Sequence, residues 1–260
     1  MRLWLFAVGT IALLAQVVLL RECEVAFFGS ELVLVLGLGA WLLGSAAGAA
    51  SGRGAQPPGE RGVRRLFVAL GLLLPLAVVF ARGVRILFGG VPGAYLPFGR
   101  QLLALALCLV PVAFLLGLLF QWAARRFIAT GRSPAAAYAL ESAGGLLGGL
   151  LATLLPAAGL QNWDTALLCG VVAFAAAWPG SRVAGRGSAA AAGLFLALAL
   201  LVAAVYAATD EFHQSFVPGR TASVYDVLID TSGACAAAYS SMVLPWARGL
   251  PHWKCRLILK

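Results

Sequence analysis

The stretch MRLWLFAVGTIALLAQVVLLRECEVAFFGSELVLVLGLGAWLLGSAAGAA (residues 1–50) decides the class of fold. Two apolar runs, 3–20 and 32–50, flank a short stretch that carries Arg21, Glu22, Glu24 and Glu31. Each run is close to the ~20 apolar residues a helix needs to cross the hydrocarbon of a bilayer. A water-soluble helix would reserve one face for polar residues, and neither run does so.

The same pattern recurs outward from this start. Further apolar runs occupy about 66–81, 101–121, 135–156, 163–179, 188–208 and 224–246, separated by Gly-, Pro- and Arg-rich stretches that break helices. Of the 260 residues, 62% are apolar and 11% charged, and the mean hydropathy is +0.93; a soluble domain carries roughly 45–50% and about 25%. The expected fold is an all-α, polytopic membrane protein of eight spans, with the third and sixth the shortest. Such hydrophobicity excludes a disordered chain.

Basic residues set the expected sidedness. With the N-terminus inside, Arg2, Arg53, Arg61, Arg64, Arg65, Arg125, Arg126, Arg132, Arg182, Arg186, Arg248, Lys254, Arg256 and Lys260 all fall in cytoplasmic segments. Only Arg21, Arg82, Arg85, Arg100 and Arg220 fall outside, which places both termini in the cytoplasm. The loop 82–100 is the exception to the trend. The net charge of +9 is thereby assigned to loops and calls for no nucleic-acid partner. The first run reads as a retained helix rather than a cleaved signal, because no A-x-A site follows it. A bacterial cytoplasmic membrane is the expected location.

Cys23, Cys108, Cys169, Cys235 and Cys255 are scattered singly, without the spacing of a metal site or a disulfide framework, and read as small apolar packers. No metal or cofactor is expected. Gly44 and Gly48 in the second run, and Gly144, Gly145, Gly148 and Gly149 in the fifth, form GxxxG pairs that predict close helix packing. A sliding interface in a transporter is the less favoured reading. Pro111 inside the fourth run predicts a kink.

Charges at membrane depth call for a partner or a purpose. Arg21 is expected to pair with Glu22 or Glu31, while Glu31 also suits a helix N-terminus. Glu141, about two turns into the fifth run, is either a structural carboxyl bonded to a neighbouring helix or a functional carboxylate. The densest polar cluster is TDEFHQSFVPGRTASVYDVLIDTSG (209–233). Asp210, His213 and Gln214 share one helical face, as do Asp226 and Asp230, and Pro218-Gly219 makes the turn between them. With Glu211 and Arg220, these residues form a candidate ligand-binding hairpin at the outer interface. Three readings stand: Arg220 and His213 hold a phosphate-bearing group; the carboxylates and His213 hold a divalent cation; or the set is a structural salt-bridge and capping cluster.

The stretch YAATDEFHQSFVPGRTASVYDVLIDTSGA resembles the signature of the VanZ-like family, over about 188–246, the last helix pair. That resemblance implies an envelope role and a link to glycopeptide (teicoplanin) resistance. Two segments of 1–180, AQVVLLRECEVAFFGSELVLVLGLGAWLLGSAAG and GRSPAAAYALESAGGLLGGLLATLLPAAG, are similar to the membrane region of spermidine synthase-like proteins. No soluble catalytic domain accompanies them, so aminopropyl transfer is not expected. The expected organisation is a six-helix module over 1–180 and a VanZ-like helix pair with a basic tail over 188–260, meeting near 179–188.

The leading functional expectation is a non-catalytic protein that binds a lipid or a lipid-linked cell-wall precursor at the hairpin, with membrane lipids as its partners. The alternatives are a small transporter or permease using Glu141 and Glu31, and a membrane-embedded enzyme with Asp210, Glu211 or His213 as acid or base.

Overall fold

The structure, a computed structural model, describes residues 1–54, 59–90 and 94–177. The chain divides into units 1–180 and 181–260, and every described residue belongs to the first. The expected seventh and eighth spans therefore lie outside the described residues, as does the 209–233 hairpin.

Six helices follow one another: α1 (Arg2–Ala26), α2 (Glu31–Gly54), α3 (Glu60–Leu87), α4 (Phe98–Ile128), α5 (Pro134–Ala157) and α6 (Asn162–Ala177). Each matches one of the first six expected spans. The first five are long and apolar enough to cross a membrane, whereas α6 is shorter at 16 residues. The third run is not short, as its apolar stretch suggested. It lies inside a 28-residue helix of roughly 42 Å, well beyond a ~30 Å hydrocarbon layer. Charged residues mark where such a helix leaves lipid, and they do not stop it, because its backbone bonds remain internal in either medium. Nine of the 19 residues of the supposed 82–100 loop are helix ends for the same reason. Arg82 and Arg85 lie in the last turns of α3, and Arg100 in the first turn of α4.

Local chemistry places the ends. Phe28 and Gly29 adopt left-handed backbone (φ 61° and 69°), and the Gly29 N–H returns to the Glu24 carbonyl at 2.7 Å, closing α1. Ser133 caps α5 by accepting the Ala136 N–H at 3.2 Å, with Pro134 in the first helical position. Both Pro75 and Pro111 lie within unbroken helices.

Helices α1, α3 and α4 pack on one another as an inner trio, and each carries an outer partner: α5 on α1, α6 on α3, and α2 on α4. Within its most apolar window, 67% of α1 is buried against 17% of α5, so among these helices α1 is central and α5 peripheral. All three inner–outer seams run through glycine. A Cβ at Gly144 or Gly9 would collide with a carbonyl of the opposite helix, that of Phe6 or Glu141 respectively, and one at Gly148 would lie 2.6 Å from the Thr10 carbonyl. Between α2 and α4 the same holds for Gly48 against Phe114 and Gly117 against Ser45, and at Gly44 a Cβ would lie 3.1 Å from the Val110 carbonyl. Between α3 and α6, a Cβ at Gly71 would lie 3.2 Å from the Gly170 carbonyl. Lipid tails give two apolar helices little reason to associate, so such close contact supplies the attraction.

Of the two overlapping GxxxG pairs in α5, Gly144 and Gly148 leave no room for a Cβ against the α1 backbone. A Cβ at Gly149 would meet only the Leu13 side chain and one at Gly145 would lie 4.0 Å from the Gly9 carbonyl, although the Gly145 nitrogen itself would lie 2.9 Å from a Cβ at Gly9. In both long seams the contacts advance together along the two chains, so α1 runs parallel to α5 and α2 to α4. Toward the starts of α1 and α5, Trp4 Nε1 donates to the Ala176 carbonyl at 2.8 Å and ties α1 to the end of α6. Trp4→Phe should remove this buried bond and lower stability by about 1–2 kcal/mol, read as a lower midpoint in detergent-denaturation titrations.

Candidate functional site

Because α1 and α3 run parallel, residues a few positions before their ends sit level. Glu22, only 6% exposed, therefore meets Arg82, whose Nε and Nη2 donate to Oε2 and Oε1 at 2.8 and 2.9 Å. Two parallel bonds match the planar guanidinium to the planar carboxylate and satisfy both oxygens. The expected Arg21–Glu22 or Arg21–Glu31 pair gives way to this one. On a helix, adjacent residues point about 100° apart, so Arg21 faces α5 and donates at 3.4 Å to the Ala152 carbonyl while Glu22 faces α3.

One turn beyond Arg82, Arg85 lies with its guanidinium 4.3 Å from the centre of the Phe28 ring. It donates to the carbonyls of Ala94 (3.0 Å) and Ala26 (3.5 Å). Phe28 meets Tyr95 edge-on at 5.6 Å, and Arg100 donates to the Phe88 carbonyl at 2.9 Å. The arginines that ran against the expected sidedness are thus engaged where they stand: one neutralises a buried acid, and the others hold chain reversals. Just inside this layer, the Cys23 and Cys108 thiols lie 3.9 Å apart, and Cys108 also contacts the Ala77 carbonyl at 3.6 Å. Cys23, Cys108 and Cys169 are all buried free thiols. The sequence spaces the first two 85 residues apart, which concealed their meeting.

Glu31 is exposed at the start of α2, where a carboxylate is stabilised by the helix dipole. Glu141 lies on α5, with its own carbonyl against Gly9 of α1. Roughly 25 Å of helix rise separates Gly9 from the end of α1, where α2 begins, so Glu31 and Glu141 lie toward opposite ends of the bundle. The fold does not bring them into one site. Asp210, Glu211, His213, Gln214, Arg220, Asp226 and Asp230 lie outside the described residues.

The two ends differ in charge. Glu22, Glu24, Glu31 and Asp164 balance Arg21, Arg82, Arg85 and Arg100 at one end. At the other, Arg2, Arg53, Arg61, Arg64, Arg65, Arg125, Arg126 and Arg132 stand against only Glu60 and, about two turns into α5, Glu141 among the described residues. There Arg125 donates to the Gly52 and Arg53 carbonyls at 2.8 and 3.2 Å, closing the end of α2 with a cation from its seam partner.

Such a bundle, with its bilayer-length apolar helices and glycine seams, is that of a multi-pass helical membrane protein. The family model described as VanZ/LLP1 matches residues 65–245, so the chain belongs to the VanZ/LLP1 family. The match takes in nearly all of α3 and the whole of α4–α6, far more than the last helix pair to which the sequence resemblance was assigned. It also runs across 179–188, where two modules were expected to meet. The expected likeness of 1–180 to a spermidine synthase membrane region gains no support. Its marks, glycine pairs in apolar runs, are those of close helix packing in general. No curated protein and no solved structure matches the chain.

Proposed function

We propose that this VanZ-type membrane protein binds a lipid or lipid-linked cell-wall precursor through the polar segment 209–233, at the outer face of a bacterial cytoplasmic membrane. One observation carries this reading. The VanZ/LLP1 match runs to residue 245 and so includes the whole of that segment, which holds four of the chain's ten acidic residues. Arg220 carries a guanidinium fork suited to a phosphate or carboxylate, His213 precedes it by seven residues, and Asp226 and Asp230 follow it in the same segment. The charge asymmetry of the described bundle supports the orientation, because arginine-rich ends are retained in the cytoplasm. In that orientation the balanced end, with the Glu22–Arg82 pair, faces outward. Nothing in the placement of Glu31 and Glu141, toward opposite ends, favours the transporter reading.

The test is expression in a glycopeptide-sensitive bacterium. The wild-type chain should raise the tolerated teicoplanin concentration and retain precursor-like lipid on purification. Arg220→Ala and Asp226→Asn, at equal membrane abundance, should lose both effects at least several-fold, in line with the loss of one charge-assisted contact. Full retention of both in well-folded variants removes the reading.

A further inference from the structure

At the arginine-rich end, a hollow of about 320 Å³ opens where the starts of α1 and α5 meet the end of α4. Its floor is apolar: Phe127 from the last turn of α4, and Ala136, Ala139 and Leu140, which are spaced to share one face of α5. Its remaining lining is two exposed guanidinium side chains, Arg2 of α1 and Arg132 of the α4–α5 link. No carboxylate lines the hollow, and among the described residues neither arginine makes an ion pair or hydrogen bond. This contrasts with the opposite end, where Arg82, Arg85 and Arg100 are all engaged.

We infer that this hollow is a binding site for an anionic phospholipid, such as a phosphatidylglycerol, in the leaflet at the arginine-rich end. Charge and shape agree on that occupant. Two cations at the mouth match a phosphodiester that carries net negative charge, and the apolar floor matches the start of an acyl chain. Basic pockets between membrane helices on the cytoplasmic side take anionic headgroups in this manner. A zwitterionic lipid would bring its own ammonium group toward two guanidiniums and lose the advantage. None of the residues that line it belongs to the 209–233 segment, so the inference does not depend on the function proposed for that segment.

Native mass spectrometry of the full chain, released from nanodiscs containing equal phosphatidylglycerol and phosphatidylcholine, tests the inference. The wild type should retain phosphatidylglycerol in preference. Arg2→Gln with Arg132→Gln should reduce that preference at least tenfold, since each basic contact with an anionic headgroup contributes roughly fivefold. Ala139→Phe, which keeps every charge but fills the floor, should reduce it too. Arg61→Gln with Arg65→Gln removes the same charge from the same end outside the hollow and should leave the preference intact. Equal retention of both lipids by the wild type would overturn the inference. So would an equal loss in the Arg61/Arg65 variant, which would mean diffuse attraction, or an unaltered preference in Ala139→Phe.

Discussion

Replacing Gly144 with leucine should unseat α5 from α1. The new side chain would have to occupy the space of the Phe6 main-chain carbonyl, and no rotamer change removes a backbone atom. Overpacking a core with yielding neighbours costs about 1–3 kcal/mol. Here both sides of the contact are main chain, so the expected loss is at the top of that range or above it. Gly48→Leu should act likewise on α2 and α4, through the Phe114 carbonyl. Gly39→Leu is the control. It lies within α2 with nothing within 4 Å of an added Cβ, and leucine favours a helix over glycine. Fluorescence-detected size exclusion after a detergent-denaturation series should show Gly144→Leu and Gly48→Leu depleted of the monodisperse peak and Gly39→Leu unchanged. Three equal profiles would mean that the seams are not held by backbone contact.

Arg82→Met should be comparably damaging, for an electrostatic reason. It leaves the Glu22 carboxylate buried without its cation, and stranding one member of a buried pair costs about 3–5 kcal/mol. Removing both charges, as Glu22→Leu with Arg82→Met, should recover most of that loss, because the desolvation cost disappears with the pair. The measurement is a double-mutant cycle on denaturation midpoints. A double variant as unstable as Arg82→Met alone would mean that packing by the Arg82 stem, rather than its charge, holds α1 to α3.

These two results probe what could not be read from the chain as a string. GxxxG spacing marked Gly44, Gly48, Gly144 and Gly148, because a period of four keeps two glycines on one helical face. Their counterparts Gly117, Gly9 and Gly71 stand singly and carry no such mark. Each close contact sets one glycine against a backbone group of the opposite helix, and a single glycine there serves as well as a pair, so half of each seam has no pattern of its own. Glu22 and Arg82 lie 60 residues apart, and proximity in sequence pointed to Arg21 instead. The reach of the family match back to residue 65 was equally illegible, since apolar helices under the same bilayer constraint draw on the same few residues. The polar signature at 209–233 was legible because charge is rare in such a chain.

Composition and run length alone determined that this is an α-helical membrane protein and where its first six helices lie. A bilayer imposes one length and one polarity on any segment that crosses it, and both can be counted along a line. Which helix packs on which, which arginine meets which acid, and the collection of Arg2 and Arg132 around one hollow were decided only by the tertiary structure. Inside lipid every apolar face is equally soluble, so partner choice rests on sub-ångström fit between backbones, and that fit exists only once the helices are side by side.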